Sequence, residues 1–375
     1  MHYHIILTEA CNSQCKYCYE KSMKEFDNGL SEKWHYDLEV PIISEVKPKD
    51  VVDFLKDDDV LIFYGGEPLI KFDLMKEIID SVENSGKKVR FCMQTNGKLL
   101  GGVDFNYIQK LDKFLISIDG LRNRTDYNRG EGNYNIVLKN ISDLREKGYK
   151  GEIVARMVVS PQFRDHYEQV EHLIFLIEKG LIDSIHWQID AGFYKFDYDE
   201  KNFKEFVKKY NNDIDDLIDF WIKYMREKGI VLKLYPFLGI FNRVVGWDKE
   251  TRLQCGAGYA NFTINTNGKL SACPIMNGIK DFYCGSLEEG ITNEIKIQGP
   301  CISCDYFGVC GGRCLYSNHA ELWPKEGFDL TCKTIMHLID KLRERKQEIL
   351  DLIEQGVVSK KDFEFEKYFG PEIVP

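Results

Sequence analysis

Residues 8–20 read TEACNSQCKYCYE, and they decide the fold because they directly follow the first strand-like segment, YHIIL at residues 3–7. The stretch places Cys11, Cys15 and Cys18 close together. Three is an odd number for disulfide bonds, and it is one short of the four ligands of a structural zinc site. Three thiolates can instead hold three irons of a cuboidal iron–sulfur cluster and leave the fourth iron open, as a catalytic centre requires.

Strand-like segments alternate with helical patterns through the first half of the chain. At residues 133–147, Val137, Ile141 and Leu144 share one helix face, and Gly148 follows at the expected C-cap. Such alternation indicates parallel βα units. Six units are too few for a complete eight-fold barrel, so the sequence predicts an α/β fold with an open, partial (β/α)6 parallel barrel. The strand-like segments are residues 3–7, 60–65, 89–95, 113–119, 152–159 and 184–190.

The character of the sequence changes near residue 235, after a long helical stretch at 202–228. Residues 255–332 are rich in glycine and cysteine, and a hairpin is expected to turn at Asn267-Gly268. Small regions with many thiols often rely on metal in place of a hydrophobic core. The predicted domains are the partial barrel, a small Cys-rich domain with a β-hairpin and a C-terminal helix, and a helix end with a tail: residues 1–235, 236–345 and 346–375.

Composition excludes several classes of protein. The net charge is −10 and no long Lys/Arg block occurs, which argues against nucleic-acid binding. No apolar run of about 18 residues is present to span a membrane. We recognise no signal peptide, and twelve cysteines without one more often bind metal than form disulfides. A cytoplasmic protein with neither a membrane nor a nucleic-acid partner is expected.

The first motif resembles the signature of the radical S-adenosylmethionine (SAM) superfamily, C-x3-C-x-aromatic-C, with Tyr17 as the aromatic residue. Three further motifs end the second, third and fourth strands: YGGEP at 64–68, QTNG at 94–97 and SIDG at 117–120. Their order, each at the carboxyl end of a strand, supports the resemblance more than any single tetrapeptide does. It covers most of residues 1–235.

The resemblance implies the chemistry of this region. An open iron of a [4Fe–4S] cluster would bind the amino and carboxylate groups of SAM, and one electron would release a 5′-deoxyadenosyl radical that takes hydrogen from the substrate. The electron would come from an external donor such as ferredoxin or flavodoxin. The family's GGE motif meets the methionine amino group, and its serine lies near the ribose and methionine. In this chain these residues are Gly65, Gly66, Glu67 and Ser117.

A basic partner for the methionine carboxylate has two candidates, Arg129 and Arg156. A positive charge inside a parallel strand is costly unless it is paired, which favours Arg156. Gln188 and Asp190 end the sixth strand at the same mouth of the barrel. Either residue touches adenosine or the substrate, with Asp190 as a candidate catalytic group, or caps the strand.

A second cysteine array resembles the SPASM domain, whose pattern is C-x9–15-G-x4-C, then C-x2-C-x5-C-x3-C, then C. A zinc ribbon is the alternative, because C-x2-C pairs also suit zinc. The resemblance implies two auxiliary [4Fe–4S] clusters, and hence three clusters in all. Cys284 is a structural thiol or an eighth ligand, and buried Cys92 receives no chemistry. The implied outer ligands are Cys301, Cys304, Cys310 and Cys332, and the implied inner ligands are Cys255, Cys273 and Cys314.

These observations favour a radical SAM/SPASM oxidoreductase that modifies a peptide or protein, with a thioether or other crosslink as the leading product. A formylglycine-generating sulfatase maturase is the nearest alternative. Maturases place an aspartate directly after the cysteine of the G-x4-C element, whereas here Pro274 follows Cys273. A small-molecule substrate and a non-catalytic electron-transfer protein also remain. The first cluster motif begins at residue 11, so a separate protein is a possible partner for peptide recognition.

Overall fold

A computed structural model describes residues 1–18 and 30–369 of the 375-residue chain. The chain divides into two compact units, each built from three segments. The boundary predicted near residue 235 stays a prediction. Unit 1 comprises Met1–Arg156, Leu176–Asp183 and Gly256–Lys296, and unit 2 comprises Met157–Phe175, Ser184–Cys255 and Ile297–Pro375.

The described residues contain eleven strands, and the six predicted ones are present with ends within two residues of those expected. Runs of branched and aromatic residues explain this accuracy, since parallel strands are buried on both faces. The strands are β1 (His2–Thr8), β2 (Val60–Gly65), β3 (Arg90–Thr95), β4 (Leu111–Ser117), β5 (Glu152–Val159), β6 (Ser184–Ile189), β7 (Lys233–Leu234), β8 (Asn261–Ile264), β9 (Lys269–Ser271), β10 (Tyr283–Ser286) and β11 (Gly290–Ile291).

Helices alternate with the parallel strands, as the sequence predicts. No described helix is long and apolar enough to cross a membrane. The helices are α1 (Leu30–Lys33), α2 (Pro48–Phe54), α3 (Phe72–Ser85), α4 (Phe105–Ile108), α5 (Arg122–Arg129), α6 (Asn133–Glu146), α7 (His166–Glu178), α8 (Glu200–Lys228), α9 (Tyr235–Val244), α10 (Phe307–Cys310), α11 (Leu315–Ala320) and α12 (Lys325–Glu354).

Unit 1 is organised around β1, which pairs in parallel with β2 on one side and with β8 on the other. The order of its strands is β11-β10-β9-β8-β1-β2-β3-β4-β5, in which β8 to β11 are joined by antiparallel pairs. The sheet does not close on itself, which confirms the predicted α/β fold with an open parallel sheet. The expected hairpin is present between β8 and β9, with Gly268 at φ +78°.

Unit 2 holds the two longest helices, α8 and α12, whose buried faces pack together. Trp221 of α8 donates from Nε1 to the Leu232 carbonyl at 2.9 Å and packs against Phe237 of α9. Helix α9 is buried almost throughout, and a short buried helix is difficult to distinguish from a buried strand in sequence. Short helices α10 and α11 also lie in the Gly- and Cys-rich region, where little helix was expected.

Candidate active site

The Gly65-Gly66 turn lies directly against the chain segment that leads into Cys11. The Gly66 amide donates to the Thr8 carbonyl at 2.9 Å, and the Glu67 amide donates to the Ala10 carbonyl at 3.0 Å. A Cβ on Gly65 would lie 2.1 Å from the Thr8 oxygen, and Gly65 has φ +138°. The glycines are therefore required by the close approach of two backbones, which fixes the start of the Cys11 loop.

Glu67 is a fully buried carboxylate that organises the end of β3. Its oxygens accept from Thr95 Oγ1 at 2.8 Å, from the Asn96 amide at 2.8 Å and from the Leu69 amide at 3.2 Å. Burial raises the pKa of Glu67, although these hydrogen bonds and the charge of Lys98 oppose the shift. Glu67 therefore links the GGE turn to the TNG turn.

Asn96 connects this network to the cysteine loop. Its Nδ2 donates to Asn12 Oδ1 at 2.7 Å and lies 3.8 Å from Cys11 Sγ, within the range of an N–H···S hydrogen bond. Lys98 Nζ donates to the Asn12 carbonyl at 2.5 Å. The role of Asn96 is not evident from the QTNG motif, because the motif does not show which side chain reaches the sulfur.

Tyr17, Asp119 and Arg129 form a second support for the cysteine loop. The Tyr17 hydroxyl donates to Asp119 Oδ2 at 2.5 Å, and Arg129 donates to both Asp119 oxygens, at 3.0 Å and 2.9 Å. Burial lowers the pKa of Arg129, but the charges of Asp119, Tyr17 and Cys15 and the hydrogen bond to Asp119 together outweigh burial, so the net pKa is raised. Burial also raises the pKa of Tyr17. Cys15 lies within electrostatic range of Tyr17 and Arg129.

Ser117 and Arg156 end up on one face of the sheet. They are register partners in the parallel β4–β5 pair, so their side chains point the same way, and both are half-buried. On β1, His4 Nδ1 lies at hydrogen-bond distance, 2.9 Å, from Asn261 Oδ1. Burial lowers the pKa of His4 to about 4, and the charge of Arg156 also helps to lower it. The sheet therefore presents a positive charge on this face.

A cavity of about 600 Å³ in unit 1 brings the cysteine loop and the glycine turn together. Cys11, Gly65 and Gly66 line it. Leu38 and Ile42 line its mouth and are 83% and 63% exposed. The segment after Cys273 also lines this cavity, through Pro274, Ile275, Asn277 and Gly278. The side-chain Nδ2 of Asn277 donates to Glu9 Oε1.

Five cysteines of the second array gather in unit 2. Cys301, Cys310, Cys314 and Cys332 line an enclosed cavity of about 60 Å³, and Cys301, Cys304 and Cys332 line an adjoining open cavity of about 640 Å³. Burial raises the pKa of Cys332 to about 12, with further contributions from the charges of Cys310, Cys301 and Cys304. The four implied outer ligands therefore line two cavities that share Cys301 and Cys332, and Cys314 lines the enclosed cavity with them.

Polar groups surround these sulfurs. Asn318 Nδ2 lies 3.6 Å from Cys301 Sγ and donates to the Gln298 carbonyl at 3.0 Å. Burial raises the pKa of Cys310 to about 11, and hydrogen bonds from the Gly312 and Arg313 amides oppose the shift. Hydrogen bonds to sulfur are a common feature of iron–sulfur sites.

The implied inner ligands are divided between the units, with Cys273 in unit 1 and Cys255 and Cys314 in unit 2. Cys284 lies on β10 and is fully buried, and its thiol donates to the Phe282 carbonyl at 3.5 Å. Burial raises the pKa of Cys284 to about 12. This environment suits a structural thiol. Cys92 is likewise fully buried, on β3.

Gln188 and Asp190 lie at the end of β6 in unit 2, and both are half-buried. The Asp190 amide donates to the Val159 carbonyl at 3.0 Å. The contacts with adenosine or the substrate that the sequence predicts for Gln188 and Asp190 stay predictions.

The donor set fits iron–sulfur clusters in two respects. Thiols line all three cavities described above, and N–H groups point at the sulfurs of Cys11, Cys301 and Cys310. Across residues 1–18 and 30–369, no three His, Cys, Asp or Glu side chains converge at the spacing of a single metal ion. The cluster ligands are therefore assigned from motif and cavity lining. Asp119, Asn96 and Arg313 are the contributors that sequence reasoning missed.

Comparison with known proteins identifies the domain. The model of the radical SAM superfamily matches residues 5–176. The chain is 22% identical to the radical SAM cyclopropyl synthase TigE of Paramaledivibacter caminithermalis, over 92% of this chain and 74% of that protein. It is 23% identical to the mycofactocin maturase MftC of Mycolicibacterium smegmatis, over 87% of this chain and 81% of that protein.

Two solved structures share the fold. One is anSMEcpe with bound AdoMet and the Kp18Cys peptide, with a TM-score of 0.66, 17% identity, and coverage of 91% of this chain and 97% of that chain. The other is Streptococcus suis SuiB bound to the precursor peptide SuiA, with a TM-score of 0.52, 17% identity, and coverage of 84% and 72%. Residues 5–176 therefore match the radical SAM superfamily, and the chain shares its fold with the AdoMet- and peptide-bound structure of anSMEcpe and with the peptide-bound structure of SuiB.

Proposed function

We propose that this protein cleaves SAM reductively at a [4Fe–4S] cluster held by Cys11, Cys15 and Cys18, and that it modifies a peptide or protein substrate. The observation that carries the proposal is the cavity lined by Cys11, Gly65 and Gly66, since it joins an exposed thiol to the glycine turn. When bound, the cluster and SAM supply a 5′-deoxyadenosyl radical that removes a hydrogen atom from the substrate.

The chain's own residues position these groups. The Glu67 network fixes the Gly65-Gly66 turn, whose backbone would bind the methionine amino group of SAM. The Tyr17–Asp119–Arg129 set fixes the cysteine loop, and Arg129 is committed to Asp119 by two hydrogen bonds. Arg156 is therefore the better partner for the methionine carboxylate, with Ser117 beside it on the same face. We assign Gln188 and Asp190 to adenosine or the substrate.

Two auxiliary [4Fe–4S] clusters complete the proposed cofactor set. The gathering of Cys301, Cys304, Cys310 and Cys332 supports the outer cluster. The inner cluster, assigned to Cys255, Cys273 and Cys314, rests on the sequence pattern. An external donor such as ferredoxin or flavodoxin supplies the electrons, and such clusters place the protein in the reducing cytoplasm.

The favoured reaction is a thioether or other crosslink within a peptide. One C–H bond of the substrate and one S–H bond of a substrate cysteine are broken, and one C–S bond forms. The C–H hydrogen leaves on 5′-deoxyadenosine, the thiol proton goes to water, and the second electron returns to a cluster. SAM is reduced to methionine and 5′-deoxyadenosine, so the overall reaction balances.

Two observations support a peptide substrate, and a third argues against the maturase reaction. The structural relatives anSMEcpe and SuiB were solved with bound peptides. The exposed Leu38 and Ile42 provide an apolar rim that suits a peptide side chain. Pro274 and Ile275, which line the cavity, lack the carboxylate that the maturase alternative needs at this place. A separate peptide-recognition protein remains part of the proposal.

The test has two parts. Replacing Cys11, Cys15 and Cys18 together by Ala is expected to remove about four irons of roughly twelve and all release of 5′-deoxyadenosine. If the triple variant still releases 5′-deoxyadenosine, the proposed catalytic centre is wrong. Co-expression with short cysteine-containing peptides, followed by mass spectrometry, is expected to show the loss of two hydrogen atoms per crosslink. Formation of formylglycine in a sulfatase peptide would favour the maturase alternative.

A further inference from the structure

Three consecutive residues between Cys310 and Cys314 have left-handed backbone conformations. Gly311, Gly312 and Arg313 have φ values of 72°, 100° and 60°. Glycine is required at the first two positions, because a Cβ there would lie 2.3 Å from the Arg252 oxygen and 2.7 Å from the Ile297 side chain. Arginine rarely adopts this conformation, and such residues concentrate at functional sites.

This backbone conformation turns successive amides toward one sulfur. The N–H groups of Gly312 and Arg313 both donate to Cys310. Consecutive amides in such a turn form a concave site that favours an anion. The strained residue is therefore part of a cradle for a thiolate.

The Arg313 side chain lines the same cavity as Cys310. Its Nη1 donates to the Ala191 carbonyl at 3.3 Å and to Ser317 Oγ at 3.4 Å, and its Nη2 donates to the Ile189 carbonyl at 3.2 Å. All three acceptors are uncharged. In the portion of the chain that the structure describes, no carboxylate forms an ion pair with Arg313.

The third nitrogen of the guanidinium, Nε, is buried and has no hydrogen-bond partner among the described residues. Arg313 lines the enclosed cavity together with Cys301, Cys310, Cys314 and Cys332. A guanidinium whose charge is not balanced, with one orphaned N–H, is costly unless an anionic acceptor is present. A [4Fe–4S] cluster held by four thiolates is anionic and carries sulfur acceptors.

We propose that Arg313 is a positioning residue for the outer iron–sulfur cluster, in which its Nε–H donates to a cluster sulfur and its charge favours the reduced state. This inference rests on the proposed assignment of Cys301, Cys304, Cys310 and Cys332 as the outer ligands. Net charge and hydrogen bonds to sulfur set the reduction potential of such clusters. Arg313 therefore raises that potential, and its bonds to the carbonyls of Ile189 and Ala191 fix the chain on both sides of Asp190.

The experiment uses the full-length protein, reconstituted without oxygen, and three variants: Arg313→Gln, Arg313→Lys and Lys333→Met. Lys333 is the matched control, because it lines the open cavity beside the same cysteines but is exposed, so solvent screens its charge. Iron content is measured, and the outer cluster's EPR signal, identified as the one lost in Cys304→Ala, is followed in a redox titration.

Arg313→Gln is expected to keep its iron and to show about a tenfold lower ratio of reduced to oxidised outer cluster at a fixed potential, which is about 59 mV for one electron. Arg313→Lys is expected to lie between Gln and wild type, and Lys333→Met close to wild type. If Gln loses the outer iron while Lys keeps it, the requirement for the charge is likewise supported.

An unchanged ratio in Arg313→Gln with full iron, or loss of the outer iron in Gln and Lys alike, overturns the inference while leaving the cluster assignment intact. If Cys304→Ala removes no iron from the protein, the assignment of the outer ligands fails first, and the inference falls with it.

Discussion

Arg129 and Asp119 form a two-pronged buried ion pair, with Nε to Oδ2 at 3.0 Å and Nη2 to Oδ1 at 2.9 Å. The Tyr17 hydroxyl and Asn128 Nδ2 donate to the same carboxylate. Because Tyr17 lies between two cysteines of the loop, this ion pair fixes the loop itself. The position of Arg129 therefore indicates a structural role beside the cysteine loop.

Asp119→Asn is expected to destabilise the apoprotein by about 3–5 kcal/mol, because it leaves the buried Arg129 charge without its partner. Urea unfolding of the apoprotein measures this loss. Arg122→Gln is the control on the same helix as Arg129, since the Arg122 side chain is 60% exposed and solvent screens its pair with Asp126. A difference below about 1 kcal/mol between Asp119→Asn and wild type would contradict the structural role of this pair.

Arg156→Gln is expected to weaken SAM binding about 10- to 100-fold, because it removes one charge-assisted hydrogen bond of about 1.5–3 kcal/mol. The iron content is expected to stay unchanged. Equilibrium binding of SAM to the reconstituted protein measures the effect. If Arg156→Gln binds SAM as tightly as wild type and Arg129→Lys does not, the assignment of the methionine carboxylate moves to Arg129.

The parts of this fold that sequence reasoning could predict are those set by local patterns. Strands such as β1 and β2 are apolar on both faces and read clearly, and the glycine turn follows from its motif. Helix α9 was missed because it is short and nearly all of its residues are buried. A short, mostly apolar run of this kind does not distinguish a buried helix from a buried strand.

The candidate site was predictable only to the level of its motifs. Cys11 and Pro274 line one cavity although more than 250 positions separate them, because β1 pairs directly with β8. No local pattern encodes that pairing. The partner of Arg129 was not predicted for a similar reason. The SIDG motif was recognised for Ser117, whereas Asp119 of the same motif forms the ion pair.

Asn96→Asp is expected to reduce iron retention at the Cys11 cluster about tenfold or more, because it replaces an N–H donor near the sulfur with a carboxylate. Iron content after exposure to a chelator measures retention. Asn140→Ala is the matched control, since Asn140 supports the same loop through the Gly97 and Lys98 carbonyls without touching Cys11. Equal iron loss in both variants would show that Asn96 acts only through loop stability.

His4 predicts a pH dependence of the stability of the apoprotein. Its folded pKa is lowered to about 4 by burial, so the unfolded chain binds more protons between about pH 4 and 6.5 and stability rises with pH across that window. Lowering the pH from 7 to 5 is expected to cost about 2 kcal/mol through this residue. Urea titrations at the two pH values measure it, and His4→Gln is expected to remove about that part of the difference. A His4→Gln variant with the same pH dependence as wild type would contradict the assignment.

Cys284→Ala tests whether the proposed inner auxiliary cluster has an open iron. The Cys284 thiol is buried on β10 and donates to the Phe282 carbonyl, so we expect the variant to keep its full iron content. Only Cys255, Cys273 and Cys314 then remain as inner ligands, and one iron is left for a substrate thiolate, which iron binds readily once the thiol is deprotonated. Adding a cysteine-containing peptide is expected to change the inner cluster's EPR signal, and the same peptide with serine in place of cysteine is the control. If Cys284→Ala loses about four irons, or the cysteine peptide leaves the signal unchanged, direct ligation of the substrate sulfur should be abandoned as the route to a thioether.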